Sequence, residues 1–297
     1  MIYQQLGKSN LQISCIGFGS MSLKPGDPAN ETTLHQAVDS GINYFDTADL
    51  YDKGANEELI GNTFKQKRSR IILATKVGNQ WKEDASGWTW NPRKEYILKA
   101  IENSLKRLQT DHIDLYQLHG GTIDDPIDET IEAFELLVAQ GKIRYYGISS
   151  IRPNVIRYWA QHSNLTSVMM QYSLLDRRPE EECLELLKQN NIGVLARGTV
   201  AGGLLVHKPA KPYLNYSADE VEKAASAVRS ISDKNRKPSQ TAIQYVLHHP
   251  GITSAVVGIR TTDQLKEAVE SINESLPEKD VEILKNAILP NRYTEHR

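Results

Sequence analysis

The chain is poor in the features that would assign it to several broad classes. It has two cysteines in 297 residues, Cys15 and Cys183. They are far apart and lack metal-ligand spacing, so two reduced thiols in a cytoplasmic protein are expected rather than a disulfide. No apolar run approaches the ~18 residues needed to span a bilayer, so no membrane association is expected. The opening Met1-Ile2-Tyr3-Gln4-Gln5-Leu6 lacks the basic start and apolar core of a secretion signal. A formal net charge of −2, with 24% charged residues, gives no electrostatic footprint for nucleic acid. No strand-like run leads into a Gly-x-Gly-x-x-Gly turn, which argues against an open dinucleotide-binding sheet. There is no internal repeat, no low-complexity linker and no sign of a second domain.

What is present is alternation. Short β-like runs at 2–6 and 11–13 flank the turn Gly7-Lys8-Ser9-Asn10 and predict a hairpin. Eight strand–helix units follow. Their strands lie at 15–19, 43–46, 71–76, 114–118, 143–148, 167–171, 193–196 and 253–257. Helical patterns at 32–39, 56–64, 92–108, 128–139, from Pro153, 179–189, 218–231, 239–248 and 262–272 separate or follow them. Strands alternating with helices make a parallel sheet, and eight in this length predict a (β/α)₈ TIM barrel occupying 1–297 as one domain. The N-terminal β-hairpin would close the bottom. A doubly wound open sheet is the runner-up.

Polar residues close three successive apolar runs. Asp46 ends Asn43-Tyr44-Phe45-Asp46, and Tyr51 follows in the next loop. Lys76 ends Ile71 to Lys76, and His119 ends Asp114 to His119. In a barrel these positions fall at the C-terminal rim, where active sites lie. Taken singly, each has a bland explanation: a capping acid, a packed phenol, a snorkelling lysine, a rim imidazole. On adjacent strands they predict a proton-transfer site. A free phenol gives up its proton only near pH ~10. An ammonium at ~4 Å favours the phenolate by on the order of 4 kcal/mol at an effective dielectric of about 20, although burial opposes this. No ligand cluster for a metal accompanies them.

With these residues in place, the chain resembles the aldo-keto reductase superfamily. The matching segments are NYFDTADLY (43–51), NEELIG (56–61), ILATK ending at Lys76, DLYQLH ending at His119, GKIRYYGISS (141–150), Gln171-Tyr172 and VVGIRTTDQLKEA (256–268). Within it the chain looks most like the bacterial branch related to potassium-channel β subunits. The resemblance implies hydride transfer from NADPH, with NAD as a possible substitute, to a small aldehyde or ketone. It implies Tyr51 as proton donor, Lys76 and Asp46 as its support, and His119 as a hydrogen-bond partner of the carbonyl oxygen. A rival class, a nicotinamide-binding sensor or regulatory subunit with weak catalysis, is also implied by the branch.

For the cofactor, the resemblance assigns Ser149 and Gln171 to the nicotinamide carboxamide, with Ser150 where the family has asparagine. Arg197 stands where an aromatic usually stacks on the nicotinamide. A guanidinium there should favour the reduced over the positively charged oxidised ring, or else contact the pyrophosphate. Gly198 and nearby glycines would let the backbone approach phosphates. Gly258 and Arg260 open the adenosine segment, with Arg260 toward a 2′-phosphate, Gln264 beside it and Glu267 near the adenine amine. The substrate pocket is expected around Met21, Trp81 and Tyr172, with the connection 77–92 walling it. The segment 206–217 is expected as a flexible cover. The basic run 65–70 is read as a solvated helix end and the tail 290–297 as mobile. A monomer or weak oligomer is expected.

Overall fold

The computed structural model describes residues 1–84 and 86–297. A short hairpin, β1 (Tyr3–Gln5) and β2 (Gln12–Ser14), precedes the barrel, whose first strand is β3 (Ile16–Gly19). The chain continues through α1 (Ala29–Asp39), β4 (Tyr44–Asp46), α2 (Ala55–Phe64) and β5 (Ile72–Val77). A second hairpin, β6 (Asn79–Trp81) and β7 (Trp88–Trp90), leads into α3 (Lys94–Leu108), β8 (Ile113–Leu118), α4 (Ile127–Ala139) and β9 (Ile143–Ser149). Then come α5 (Pro153–His162), β10 (Ser167–Gln171), α6 (Cys183–Gln189), β11 (Gly193–Arg197), α7 (Ala218–Ser230) and α8 (Pro238–His248). The chain ends with β12 (Ser254–Gly258), α9 (Thr262–Glu270) and α10 (Glu278–Ala287).

Eight strands close in the order β10-β11-β12-β3-β4-β5-β8-β9, all parallel. This is the expected (β/α)₈ barrel. Side chains two apart on a strand share a face, and this sorts the interior into layers. Tyr44, Ala74, Leu115, Met169, Leu195 and Val256 form one inward cluster. Leu6, Leu11 and Ile13 of the N-terminal hairpin join the same cluster, so the hairpin plugs the barrel floor. Burying each of these aliphatic side chains contributes about 1.5–3 kcal/mol. The turn is tight against the barrel: at Gly7 (φ +52°) a Cβ would lie 2.4 Å from the Thr166 carbonyl oxygen. Two residues further along the strands, the inward positions are Asp46, Lys76, Gln117, Gln171, Arg197 and Gly258, which form the layer at the C-terminal rim.

Several local expectations change. The connection 77–92 contains the paired strands β6 and β7. Trp90 fastens this hairpin: its indole N–H donates to Asp125 at 3.0 Å. Its ring lies so close to Gly78 (φ +121°) that a Cβ there would sit 2.6 Å from it. The basic run is not wholly solvated. Arg68 turns inward and donates to Asp114 at 2.7 Å, and Asp114 also accepts from Arg144 and the Leu73 amide. The tail is docked, not mobile. Tyr293 is buried, its amide donates to Glu181, and the Asn154 amide donates to the His296 carbonyl. Among the described residues no helix is long and apolar enough to cross a membrane, and Cys15 and Cys183 are buried free thiols.

Candidate active site

Asp46, Lys76, Tyr51 and His119 meet at the rim. Lys76 is almost completely buried at 1% exposure, a poor place for an ammonium unless it is paired. Its Nζ donates to Asp46 Oδ1 at 2.5 Å, to the Thr47 carbonyl at 2.7 Å and to the Tyr51 hydroxyl at 3.3 Å. All three donor positions of the ammonium are thus used. Burial works against its charge, but Asp46 and Tyr51 outweigh it and raise the Lys76 pKa above the ordinary lysine value. For Asp46 burial is the larger influence and lifts its carboxyl above the usual range, against the pull of Lys76, Gln117 and Tyr44. The proton of this pair stays on the amine, and the carboxylate is its more fragile half.

The backbone that presents Asp46 is fixed from outside the barrel. The Ser20 hydroxyl donates to the Asp46 carbonyl at 2.7 Å. The Thr47 hydroxyl donates to Asn56 Oδ1 at 2.7 Å, and Asn56 Nδ2 donates to the Ser20 carbonyl at 3.0 Å. Thr75, beside Lys76, donates to buried Glu57 at 2.6 Å, and Arg107 pairs with the same carboxylate. After Tyr51 the chain runs left-handed through Asp52 (φ 47°), Lys53 (φ 56°) and Gly54 (φ 91°). Such a run in non-glycine residues is costly. It reverses the chain directly after the phenol, so that α2 can begin at Ala55.

His119 stands edge-on to Tyr51, with ring centroids 5.7 Å apart and planes at 81°. Burial, then the charges of Lys76 and Arg197, push its pKa down to about 3. The imidazole is therefore neutral near pH 7, with one nitrogen as donor and the other as acceptor. Its Nδ1 is buried without a hydrogen-bond partner.

On the opposite side of the rim, Gln171 and Arg197 are register partners on β10 and β11. Arg197 Nη1 donates to Gln171 Oε1 at 3.0 Å, and Gln171 Nε2 donates to the Tyr213 hydroxyl at 2.9 Å. Tyr213 belongs to the segment expected as a flexible cover. That segment is closed on itself by a Tyr213–Tyr216 bridge and tied to the C-terminal tail through the Tyr216 hydroxyl, which donates to the Leu289 carbonyl. Gly198 (φ +71°) leaves room beside Gln171, where a Cβ would sit 3.3 Å from Gln171 Cγ. Ser149 ends β9 at the same rim and is half-buried. Ser150 is turned away: it is buried, and its hydroxyl accepts from the Arg152 amide at 3.2 Å.

Gly258 at the end of β12 and Arg260 in the turn before α9 are both exposed. Arg260 has no ion-pair partner among the described residues. Gln264 serves its own helix start, accepting from the Arg260 amide at 2.9 Å while its amide donates to the Thr261 hydroxyl at 3.2 Å. Both oxygens of Glu267 are taken, one by Lys237 at 2.7 Å and one by Ser239 at 2.6 Å. Those contacts outweigh burial and hold its carboxyl below the usual range. Gln264 and Glu267 are thus local struts in this structure.

The three substrate-side expectations separate. Met21 is two-thirds exposed on the loop after β3. Trp81 lies at the end of β6 with Lys53 Nζ 5.3 Å from its ring centre, and its indole nitrogen is buried without a partner. Tyr172 is not in an open pocket. It is 1% exposed, its hydroxyl donates to Glu180 at 2.9 Å, and its ring packs on Tyr245 and His249. As the residue after inward Gln171, it must face outward into the helical layer.

The sequence matches the aldo/keto reductase family over residues 15–288. It is 47% identical to the uncharacterized oxidoreductase YqkF of Bacillus subtilis over 304 residues, covering 99% of each chain. It is 30% identical over 309 residues to an NADP(+) aldo-keto reductase, yakc, of Schizosaccharomyces pombe, covering 94% of this chain and 89% of the relative. Among solved structures, the holo form of the aldo-keto reductase AKR11C1 from Bacillus halodurans superposes with a TM-score of 0.94 at 46% identity, covering 100% of this chain and 99% of the other. The apo form of that protein scores 0.86, also with 100% and 99% coverage. The chain belongs to the aldo/keto reductase family and is an NAD(P)H-dependent oxidoreductase.

Proposed function

We propose that this protein reduces small aldehydes or ketones to alcohols with NADPH, and that Tyr51 supplies the proton. The observation that carries this reading is the position of Lys76 Nζ, between Asp46 Oδ1 at 2.5 Å and the Tyr51 hydroxyl at 3.3 Å. A bound nicotinamide supplies the hydride. The chain's own residues handle the other half of the reaction. Tyr51 donates its proton to the carbonyl oxygen as negative charge grows there. The Lys76 ammonium stabilises the phenolate left behind, and Asp46 keeps that ammonium charged in a buried site. Neutral His119 donates a hydrogen bond to the carbonyl oxygen and orients it without competing as an acid.

The residues present suit a dinucleotide. Arg197 and Arg260 lie exposed at the ends of adjacent strands, and neither has a carboxylate partner among the described residues. Two such guanidiniums beside Gly198 and the N-terminus of α9 match the chemistry of a pyrophosphate and a 2′-phosphate. Ser149 and Gln171 would hold the carboxamide, with Arg197 and Tyr213 already fixing the orientation of the Gln171 amide. The better superposition on the holo than on the apo form of AKR11C1 accords with this. An exposed Arg260 guanidinium without an ion-pair partner among the described residues supports NADPH over NADH. We propose a monomer or weak oligomer. Two buried free thiols suit a cytoplasmic setting.

The test is oxidation of NADPH, run beside NADH, with a panel of aldehydes and ketones, for the unaltered protein and for Tyr51→Phe. Tyr51→Phe should lose most turnover while still binding NADPH. Near-normal reduction of a good aldehyde by that variant would remove the acid assignment.

A further inference from the structure

Two buried polar side chains that the reaction above does not use lie against the ion pair, Gln117 beside it in the rim layer and Tyr44 one layer beneath. Gln117 and Tyr44 are both fully buried, at 0% exposure. Gln117 is the register partner of Lys76 across β5 and β8, so it points inward beside it. Its Nε2 donates to Asp46 Oδ2 at 3.2 Å, the carboxylate oxygen that Lys76 does not take. Tyr44 is two residues before Asp46 on β4 and also points inward. Asp46, Tyr51 and Gln117 are the polar groups that act on its hydroxyl.

This pair is chemically odd for a barrel interior. The Tyr44 hydroxyl and Gln117 Oε1 are both buried without a hydrogen bond in the observed geometry. A buried hydroxyl or amide left unpaired costs about 1–3 kcal/mol, and the layer around Tyr44 is otherwise Leu, Met, Val and Ala. A phenylalanine at 44 would suit that layer better if packing were the only demand. Both groups lie against Asp46, whose carboxylate is the fragile half of the pair. Its Oδ2 receives nothing from Lys76, and a half-paired buried carboxylate readily takes a proton.

We propose that Gln117 and Tyr44 are positioning residues that keep Asp46 ionised, and so keep Lys76 charged and aimed at Tyr51. Gln117 holds Oδ2 with its amide N–H. The Tyr44 hydroxyl faces the same carboxylate from the layer beneath and favours its charged form. This inference rests on the acid–base reading above. Besides these two, the titratable or charged groups around the pair are Tyr51, His119, Arg197 and Asp49. Arg197 and Lys76 both act on His119, and Lys76 acts on Asp49. His119 is neutral down to about pH 3. Removing Gln117 or the Tyr44 hydroxyl therefore acts first on Asp46.

The experiment is the pH profile of single-turnover NADPH oxidation with one good aldehyde, for the unaltered protein, Gln117→Leu, Tyr44→Phe and Tyr51→Phe. NADPH affinity and thermal unfolding are measured alongside. Loss of a hydrogen bond to a charged group corresponds to about a tenfold change in proton affinity, or about one pH unit. Gln117→Leu should move the acidic limb upward by about that much, and Tyr44→Phe by less, with NADPH affinity unchanged within about twofold. A purely structural role would lower the unfolding temperature and leave the limb in place, and that result overturns the proposal. If Gln117→Leu does not fold, Tyr44→Phe, which deletes one oxygen, decides by the same criterion. Full activity in Tyr51→Phe would overturn the acid–base reading and this inference with it. A dead Tyr51→Phe with unmoved limbs in the Gln117 and Tyr44 variants would overturn the inference alone.

Discussion

Arg197 donates to Gln171 at 3.0 Å across two adjacent barrel strands, at the C-terminal rim. The guanidinium is exposed and has no carboxylate partner among the described residues, so its charge is felt at the rim. It already reaches His119, whose pKa it helps to depress.

A fixed positive charge there should discriminate between the two redox forms of the cofactor. Oxidised nicotinamide carries a positive charge and reduced nicotinamide does not. Arg197→Tyr should therefore improve NADP⁺ binding relative to NADPH by about three- to tenfold, the range for one partly screened like-charge contact. Fluorescence titration of both forms at two ionic strengths measures this. An equal change in both affinities would show that the charge acts on the phosphates instead.

Arg260 should carry the preference for the phosphorylated cofactor. A charge-assisted contact to a phosphate is stronger than a neutral one. Arg260→Ala should weaken NADPH binding by about tenfold or more and leave NADH nearly unchanged, corresponding to a loss of about 1.5–3 kcal/mol. Comparable losses for both cofactors would move Arg260 to the pyrophosphate or to a purely structural role. Gln264 is occupied by the Arg260 amide, so Gln264→Ala should act on the helix start and not on cofactor choice.

The ion pair should be as important to folding as to chemistry. Asp46→Asn leaves a fully buried ammonium with a neutral partner, and breaking one side of such a pair typically costs about 3–5 kcal/mol. Urea unfolding should show that loss near neutral pH. The double variant Asp46→Asn, Lys76→Met removes both charges and should recover much of the stability while remaining inactive. Equal stability of the single and double variants would mean that Lys76 discharges when Asp46 is replaced.

The rim layer was legible because strand alternation is strict. Once Asp46, Lys76 and His119 were placed at strand ends, their convergence followed from parallel closure. The same rule would have drawn attention to Gln117, paired beside Lys76 in the rim layer, and to Tyr44, one layer beneath Asp46. It also shows why Tyr172 fails as a pocket residue: its parity is opposite to that of Gln171. Less visible were contacts between segments distant in sequence. Nothing local to Arg68 announces Asp114, and nothing in 290–297 announces its docking on Glu181 and Asn154. Trp90 and Gly78 needed the third dimension as well, since a loop with glycine and tryptophan reads equally well as a mobile wall. Glu267 matched a motif, yet Lys237 and Ser239, from α8 and its cap, claim its oxygens.

His119 gives the clearest dependence of stability on pH. In the unfolded chain a histidine binds a proton below about pH 6.5. In the folded protein burial, then Lys76 and Arg197, keep the ring neutral until about pH 3. Its folded pKa is thus depressed, so it has no effect on stability above about pH 6.5. Below that the unfolded state takes up a proton that the folded state refuses. Stability should fall by about 1.4 kcal/mol for each pH unit until the folded pKa is reached. Other groups titrate over the same interval, so the informative quantity is a difference. His119→Gln has no such proton to gain, and its urea-derived stability should fall less between pH 6.5 and pH 4.5 than that of the unaltered protein, by about 2–3 kcal/mol. Parallel stability curves for the two proteins over that interval would mean that the folded imidazole takes up its proton at an ordinary pH, and a positively charged ring beside Tyr51 would then have to enter the chemistry.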